Sequence, residues 1–219
     1  MTPRAAGGLS SRAPGRPRSE QAERAILAAA LELLGELGIA GLTMEAVAAR
    51  AGVAKTTVYR RWSAKEELVL DTLVQLKGPL PPVPDGPVRD VLCQLLNQMR
   101  AGWQRDGTAG LIRRLLGAAD DHPGLADEYW RRIVSPRRQL LQELLVRGIA
   151  AGLIRPDADL DLMVEMLVAP ILLRTVIRPA PMTDEQVAEI VDTVLAGAAR
   201  PLALGVVGPA TAAEAALAG

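Results

Sequence analysis

The sequence contains no phenylalanine, one cysteine and one histidine among its 219 residues. A single thiol excludes a disulfide-stapled fold, and a lone histidine without cysteine partners argues against a structural zinc site. The apolar run at 166–173, which includes Pro170, is eight residues long, whereas a membrane-spanning helix needs about 18 or more apolar residues. No secretory signal pattern opens the chain. We therefore expect a cytoplasmic protein without a membrane segment, metal or cofactor.

The chain has no net charge, because its 25 basic residues balance its 25 acidic ones. The balance is nevertheless uneven along the chain. Residues 1–65 hold ten basic side chains against five acidic ones, a net charge of +5 that leaves −5 for the remainder. This asymmetry predicts a polyanionic partner for the first 65 residues. The alternative is a chance fluctuation on a solvated surface.

Apolar residues recur at helical spacing through most of the chain, and no window alternates in the manner of successive β-strands. The pattern predicts an all-α fold of about nine helices. Five prolines interrupt residues 78–87, which predicts a linker or hinge at that place. Proline also lies at positions 136 and 170, inside otherwise helical stretches. For residues 123–151 we expect either one kinked helix or two abutting ones.

Several residues have the spacing of helix caps. Gly38 is placed to end a helix that starts near Ser19, and Thr43 is placed to cap a short helix over 44–50. Two further pairs have the spacing of a capping box, in which a hydroxyl and a side chain three residues later bond to each other's backbone. These pairs are Ser63 with Glu66 and Thr183 with Gln186.

Two short predicted helices, 44–50 and 54–62, are joined by a tight turn that contains Gly52. Their arrangement matches a helix-turn-helix motif, in which the first helix crosses the DNA backbone and the second enters the major groove. Val58 and Trp62 are four residues apart, so they can form the inner apolar face of the second helix. The polar side chains of that helix remain for DNA: Lys55, Thr56, Thr57, Tyr59, Arg60 and Arg61.

The stretch from Gly41 to Leu68, GLTMEAVAARAGVAKTTVYRRWSAKEEL, resembles the signature of the TetR family of transcriptional regulators, and the helix at 26–38 fits the same pattern. One departure is Ala54, where the family often has a serine that caps the recognition helix. A missing cap costs about 1 kcal/mol of local stability. The resemblance implies two groups of DNA contacts: Thr43, Tyr59 and Lys65 on phosphates, and Lys55, Thr56, Thr57 and Arg60 on bases or nearby phosphates.

Two roles are open for each of three arginines. Arg61 serves either the DNA backbone or the protein surface, and Arg16 and Arg18 either reach an adjacent groove or belong to a solvated tail. The resulting organisation has four parts. They are a disordered basic arm at 1–18, a helix-turn-helix domain at 19–65, an effector-binding and dimerisation domain at 66–201, and a flexible tail at 202–219.

The resemblance also implies an effector pocket and a dimer interface in the second domain. For the pocket, within residues 88–155, the candidates are Met99, Trp103, Tyr129 and Trp130, with Arg113 and His122 as polar partners; ordinary core packing is the alternative for each. For the interface, the last two long helices would pair with their copies in a four-helix arrangement. Its candidates are Leu160, Val164, Leu167, Ile171, Val187, Ile190, Val191, Val194 and Leu195, and burial inside one chain is the alternative.

No catalytic fingerprint accompanies these features, so the sequence does not predict an enzyme. The three aspartates at 157, 159 and 161 are better explained as acids at a helix N-terminus than as a calcium loop. The resemblance therefore implies a homodimeric repressor that a small-molecule effector releases from a palindromic DNA operator. The alternatives are an effector-independent regulator, an activator, and a carrier or enzyme with a vestigial DNA-binding motif.

Overall fold

The computed structural model describes residues 16–105 and 107–199, with side chains from Ser19 onward. In this part of the chain every regular element is helical, as the sequence predicts. Ten α-helices and two π-helical segments form nine uninterrupted helical runs. The α-helices are α1 (Arg16–Gly41), α2 (Met44–Ala51), α3 (Lys55–Tyr59), α4 (Lys65–Lys77), α5 (Val88–Gln104), α6 (Thr108–Gly117), α7 (Pro123–Tyr129), α8 (Ser135–Ala150), α9 (Leu160–Leu172) and α10 (Asp184–Ala198).

Packing divides the chain into two compact units. Among the described residues, one unit comprises those up to Pro81 together with those of Ala101–Arg137, and the other comprises Pro82–Arg100 together with those from Arg138 onward. The functional boundary at 65/66 stays a prediction. Residues 1–15 of the predicted arm and the predicted tail at 202–219 lie outside the described residues. None of the described helices is long and apolar enough to cross a membrane.

In the first unit, α1 packs against α2, α4 and α6. Helix α1 begins at Arg16, three residues before the predicted start, and Gly38 breaks it as predicted, with φ 71° and ψ −175°. A left-handed φ of this kind is strained for residues with a side chain and free for glycine. The turn after Gly38 leads the chain into α2. Large side chains that are fully enclosed in this unit include Ile26, Leu34, Leu42, Leu68 and Leu73.

The predicted caps are confirmed at two positions and wrong at one. The Thr43 hydroxyl accepts a hydrogen bond from the amide of Ala46 at 3.1 Å, and Thr183 forms the predicted capping box with Gln186. The pairing of Ser63 with Glu66 is wrong, because the amide of Ser63 donates to Glu67 at 2.9 Å and its hydroxyl donates to the same carboxylate. A capping box at Ser63 requires α4 to begin at residue 64, but α4 begins one residue later, at Lys65. Glu67, the acid after Glu66, is therefore the one within reach of Ser63.

Two prolines coincide with π-helical segments. The run from α7 to α8 is continuous, and its π-helical segment Trp130–Val134 lies just before Pro136. Within it the amide of Ser135 donates to the carbonyl of Trp130, five residues back. A second π-helical segment, Leu173–Ile177, follows Pro170. Pro136 has no amide to donate back to Arg132, so the helix widens in the first segment instead of keeping its regular ladder. Residues 123–150 are thus one continuous helix with a π-helical interruption.

In the second unit, α9 packs against α10, and arginines on α5 join that helix to α10. Arg89 forms a two-pronged ion pair with Asp192, with N–O distances of 2.6 and 2.8 Å. Arg100 donates to the carbonyl of Met182 and to Asp184. The unit therefore has a largely apolar interior, and ion pairs and hydrogen bonds of two arginines join α5 to α10 at its surface.

Candidate nucleic-acid interface

The predicted recognition helix is held by its inner face. Val58 has no exposed surface and Trp62 is 3% exposed, as their spacing predicts. Regular α-helix covers only Lys55–Tyr59, and the amides of Arg61 and Trp62 both return to the carbonyl of Val58. Ala54 provides no side-chain cap. The helix is therefore short and depends on its two anchoring side chains rather than on a cap.

The outer face presents most of the side chains predicted to meet DNA. Lys55, Thr56, Tyr59 and Arg60 are exposed, and Thr57 is half-buried. Thr43 is also exposed, at the first turn of α2, where its hydroxyl caps the helix. The N-terminal amides of a helix and its dipole favour a bound phosphate. Side-chain donors and the start of α2 thus lie next to each other on one face of the first unit, since α2 packs against α3.

A carboxylate that the sequence analysis did not single out sits within this face. Glu45 accepts a hydrogen bond from the Tyr59 hydroxyl at 3.1 Å and lies 3.8 Å from the Lys55 ammonium. Its own backbone amide and the Tyr59 hydroxyl lower the pKa of Glu45, and this hydrogen bond raises the pKa of Tyr59. Nothing in the sequence distinguishes Glu45 from an ordinary acid at a helix N-terminus, so only the fold reveals the contact.

Arg61 turns inward instead of toward the outer face. Its guanidinium donates to the carbonyl of Ser19 at 2.8 Å and also reaches the Ser19 hydroxyl and the carboxylate of Glu23. The side chain is 23% exposed. Arg61 thereby joins the end of the recognition helix to the first turns of α1. Neither of the two roles predicted for Arg61, on the DNA backbone or on the protein surface, includes this contact, and its role toward DNA stays a prediction.

Lys65 also has an internal partner. Its ammonium donates to the carbonyl of Ile39 at 3.2 Å, in the turn after Gly38. The macrodipole disfavours a lysine in the first turn of a helix, which made a phosphate contact the expected reason for its presence. The Ile39 carbonyl supplies a reason within the protein. The phosphate role of Lys65 stays a prediction, as do the DNA roles of Arg16 and Arg18, whose side chains lie outside the described residues.

Asp71 on α4 links the predicted recognition helix to the continuous helical run from α7 to α8. One carboxylate oxygen accepts a hydrogen bond from the indole N–H of Trp62 at 2.9 Å, and the other accepts one from the guanidinium of Arg132 at 2.8 Å. Trp62 anchors α3, and Arg132 lies in the π-helical segment Trp130–Val134. Asp71 therefore connects the DNA-facing element to the part of the chain expected to respond to an effector.

Two family models match the chain. The model "Bacterial regulatory proteins, tetR family" matches residues 26–72, and "Tetracyclin repressor-like, C-terminal domain" matches residues 82–194. The chain belongs to the TetR family of transcriptional regulators. The first match contains the whole face described above, including the carboxylate of Glu45.

Curated relatives and solved structures agree with this assignment. The HTH-type transcriptional regulator YdeS of Bacillus subtilis (strain 168) is 35% identical over 179 residues, which cover 81% of this chain and 89% of the relative. The HTH-type regulator Rv1556 of Mycobacterium tuberculosis is 34% identical, over 79% of this chain and 85% of its own. The crystal structure of the TetR family regulator SCO0332 is similar with a TM-score of 0.60 and 32% identity, over 82% of this chain and 100% of that one.

The residues predicted to line the effector pocket of this TetR-family regulator have varied surroundings. Trp103 is 8% exposed and Trp130 is 54% exposed. Met99, His122 and Tyr129 are half-buried, and Arg113 is exposed. A groove of about 430 Å³ in the first unit is lined by residues of α1 and α4 and by none of these six. The pocket assignment stays a prediction, and Trp103 is its most enclosed member.

The predicted dimer residues are largely enclosed by their own chain. Only Leu160, Ile190 and Leu195 keep partial exposure, and the other six are buried: Val164, Leu167, Ile171, Val187, Val191 and Val194. A side chain buried in its own chain is unavailable to a partner. The large apolar side chains that α9 and its π-helical extension do expose are different ones, namely Leu162, Met166, Leu173 and Ile177, each between 42% and 50% exposed.

Proposed function

We propose that this TetR-family protein is a homodimeric repressor that binds a palindromic DNA operator and leaves it when a small molecule binds. The observation that carries the proposal is the exposed face formed by Lys55, Thr56, Tyr59 and Arg60 beside the capped start of α2. A curated relative from Mycobacteroides abscessus, 28% identical over 84% of this chain, is named a DNA-binding transcriptional repressor. Action on DNA places the protein in the cytoplasm.

On the operator, the short helix α3 would enter the major groove and the start of α2 would meet a phosphate. Thr43 and the amides of the first turn of α2 are donors for that phosphate. Lys55, Thr56 and Arg60 are the side chains in position to contact base edges or neighbouring phosphates. Tyr59 would exchange its hydrogen bond with Glu45 for one with a phosphate oxygen.

Dimerisation would use the exposed apolar face of α9 and its π-helical extension. Leu162, Met166, Leu173 and Ile177 recur at intervals of four, seven and four residues, which places them along one side of a helical run. Four large apolar side chains exposed on one face are typical of an interaction surface. A two-fold axis through this face would present two recognition helices to half-sites about one helical turn or somewhat more apart.

Release would depend on α4, which begins three residues after Trp62 and carries Asp71. An effector that favours one position of α4 would shift the spacing of the two recognition helices, and operator affinity would fall by population shift. The bridge from Asp71 to Arg132 supports this route, because it couples Trp62 to the helical run that contains Tyr129 and Trp130.

Fluorescence anisotropy with DNA from the region upstream of the protein's own gene tests the proposal. We expect one fragment to bind well above nonspecific background, with an affinity that falls steeply with salt. Replacing Lys55 or Arg60 by alanine should weaken binding and reduce the salt slope by about one for each phosphate that is no longer neutralised. Arg131→Ala is the matched control, because Arg131 is exposed but pairs with Glu128 away from this face. Equal binding of every fragment would contradict the proposal.

A further inference from the structure

The side chain of Lys77, at the C-terminal end of α4, has an unusual environment. It is half-buried, and its ammonium lies 5.5 Å from the centroid of the Trp103 ring. Among the described residues, this ring is the one close partner of the ammonium, and no hydrogen-bond acceptor or carboxylate pairs with it. Burial lowers the pKa of Lys77 to about 7. A partly desolvated ammonium without an acceptor destabilises a fold, so its presence calls for an explanation.

The charged groups that act on Lys77 within the described chain are cations. Arg137 and Arg105 both lower its pKa further by electrostatic repulsion. Arg137 is firmly held, because its guanidinium donates to the carbonyls of Gly78 at 2.9 Å and Ile133 at 3.0 Å. Arg105 is exposed just beyond the end of α5. Arg137, bonded at the C-terminal end of α4, and Arg105 therefore add positive charge around the Lys77 ammonium, which favours an anion there.

Aromatic side chains adjoin two of these cations, Lys77 and Arg137. Trp103 is almost fully enclosed. Tyr129 is half-buried, and burial raises the pKa of its hydroxyl. The positive charge of Arg137 lowers the pKa of Tyr129 by a smaller amount. Small-molecule sites combine apolar walls with a few polar groups that orient the ligand. Strongly perturbed titratable groups are also typical of functional sites, because a fold optimised only for stability would avoid them.

We propose that Lys77, Arg105, Arg137 and Trp103 form a binding site for an organic anion, a carboxylate carried on an aromatic or aliphatic body. The carboxylate would accept hydrogen bonds from the Lys77 ammonium and lie in the field of the two guanidinium groups. The apolar body would lie against Trp103. This inference rests on the proposed function, since it assigns the chemical class of the effector.

The position of the site gives it a direct route to DNA binding. Lys77 is the last residue of α4, and Lys65, at the first position of that helix, bonds to the turn before α2. Arg137 donates to the carbonyls of Lys77 and Gly78 at the C-terminal end of α4. An anion that draws Lys77 and Arg137 together would bias the position of α4, and α4 carries the Asp71 contact to Trp62.

Isothermal titration of the full chain with three carboxylates and their primary amides tests the site: benzoate, 1-naphthoate and decanoate. The amides match the acids in shape and lack the charge. We expect at least one carboxylate to bind at least about ten-fold more tightly than its amide, the ratio typical of one charged hydrogen bond. Lys77→Met should remove that preference, because it weakens carboxylate binding more than amide binding. Arg131→Met is the control, and it should keep the preference.

Thermal unfolding separates this inference from a merely structural role of the lysine. Lys77→Met should raise the melting temperature of the ligand-free protein at pH 6 while losing carboxylate binding. Asp106 lies outside the described residues, so Asp106→Asn tests whether the partner of Lys77 is internal. Unchanged carboxylate binding in Asp106→Asn supports the site. A melting temperature that falls in both Lys77→Met and Asp106→Asn would show an internal ion pair and overturn it.

Operator binding is measured in parallel on the same samples. If the protein binds its operator but no carboxylate exceeds its amide, the anion site is overturned while the proposed function stands. If a carboxylate binds but leaves operator affinity unchanged, the effector assignment is overturned. If carboxylates bind and no operator fragment does, the proposed function fails by itself. Carboxylate binding that lowers operator affinity in the wild type, and not in Lys77→Met, supports the whole inference.

Discussion

The hydroxyl of Tyr59 donates a hydrogen bond to the carboxylate of Glu45, and the O–O distance is 3.1 Å. Lys55 lies 3.8 Å from the same carboxylate oxygen. Two side chains expected to meet phosphates are thus held by an acid of the neighbouring helix in the free protein. If DNA phosphates bind these two side chains as proposed, they must first displace that acid, so Glu45 would compete with DNA for the recognition helix.

Replacing Glu45 by glutamine should therefore strengthen nonspecific DNA binding. Glutamine keeps an acceptor for Tyr59 and removes the negative charge that repels phosphate. We expect affinity for a random duplex to rise about two- to five-fold at low salt, the size of an exposed charge interaction, and the gain to shrink as salt rises. Anisotropy at two salt concentrations measures it.

The control for this substitution is Glu32→Gln, which removes an exposed acid that pairs with Arg50 outside the recognition helix. It should leave DNA affinity nearly unchanged. A selective loss of operator binding in Glu45→Gln would contradict the competition argument, because that result requires the carboxylate to accept a hydrogen bond from a base such as cytosine.

Arg61→Gln should weaken the fold without removing a phosphate contact. The substitution breaks the bonds to Ser19 and Glu23, and hydrogen bonds to charged groups contribute about 1.5–3 kcal/mol each before screening. We expect a lower melting temperature and an unchanged salt slope of operator binding. Arg60→Gln is the comparison, with the opposite pattern: a preserved melting temperature and a slope reduced by about one. A reduced slope in Arg61→Gln would place that arginine on DNA instead.

Local signals explain what could be predicted from the sequence. The cap at Thr43, the break at Gly38 and the inner face of Val58 and Trp62 all depend on residues within one or two helical turns of each other. Spacing along the chain is sufficient evidence at that range. The capping box at Ser63 shows the limit, because a helix start displaced by one residue exchanges Glu66 for Glu67.

Contacts between distant segments could not be predicted in the same way. Arg61 meets Glu23 across 38 residues, and Arg132 meets Asp71 across 61. Several acids and arginines compete for such pairings, and only the packing of the helices decides among them. The predicted dimer interface rests on the same kind of local evidence and stays a prediction. Periodicity identifies the apolar side of α9, but it does not reveal that α10 of the same chain packs against that helix.

The exposed residues of α9 can be tested by changing their charge. Leu162→Glu with Met166→Glu should convert the dimer to a monomer, because two carboxylates would face their copies across a two-fold axis. Operator affinity should fall with the loss of the second half-site. Light scattering coupled to size exclusion measures the mass. Leu116→Glu is the control, since Leu116 on α6 is 47% exposed, and it should leave the mass unchanged. A double variant that stays dimeric would move the interface elsewhere.

Asp71 contributes to the stability of the fold through two hydrogen bonds of different strength. Its pair with Arg132 is between side chains that are about one-third exposed, so Arg132→Gln should cost less than about 1 kcal/mol. The bond from the buried Trp62 indole should contribute more, about 1.5–3 kcal/mol. In urea denaturation we therefore expect Asp71→Ala to be clearly less stable than Arg132→Gln. Asp71→Asn, which keeps an acceptor for the indole, should fall between them. Equal losses for all three variants would contradict this division.

The lowered pKa of Lys77 predicts how stability changes with pH. Below about pH 7 the lysine is protonated in both states, so the cost of burying its charge is present in full. Between that pKa and the ordinary value of about 10.4, the unfolded chain keeps a proton that the folded protein has released, and the free energy of unfolding rises with pH. Lys77→Met has no such proton. Its stability advantage over the wild type should therefore be largest below pH 7 and shrink toward pH 10, in urea denaturation at one fixed protein concentration. An advantage that stays constant across this range would mean that Lys77 titrates normally.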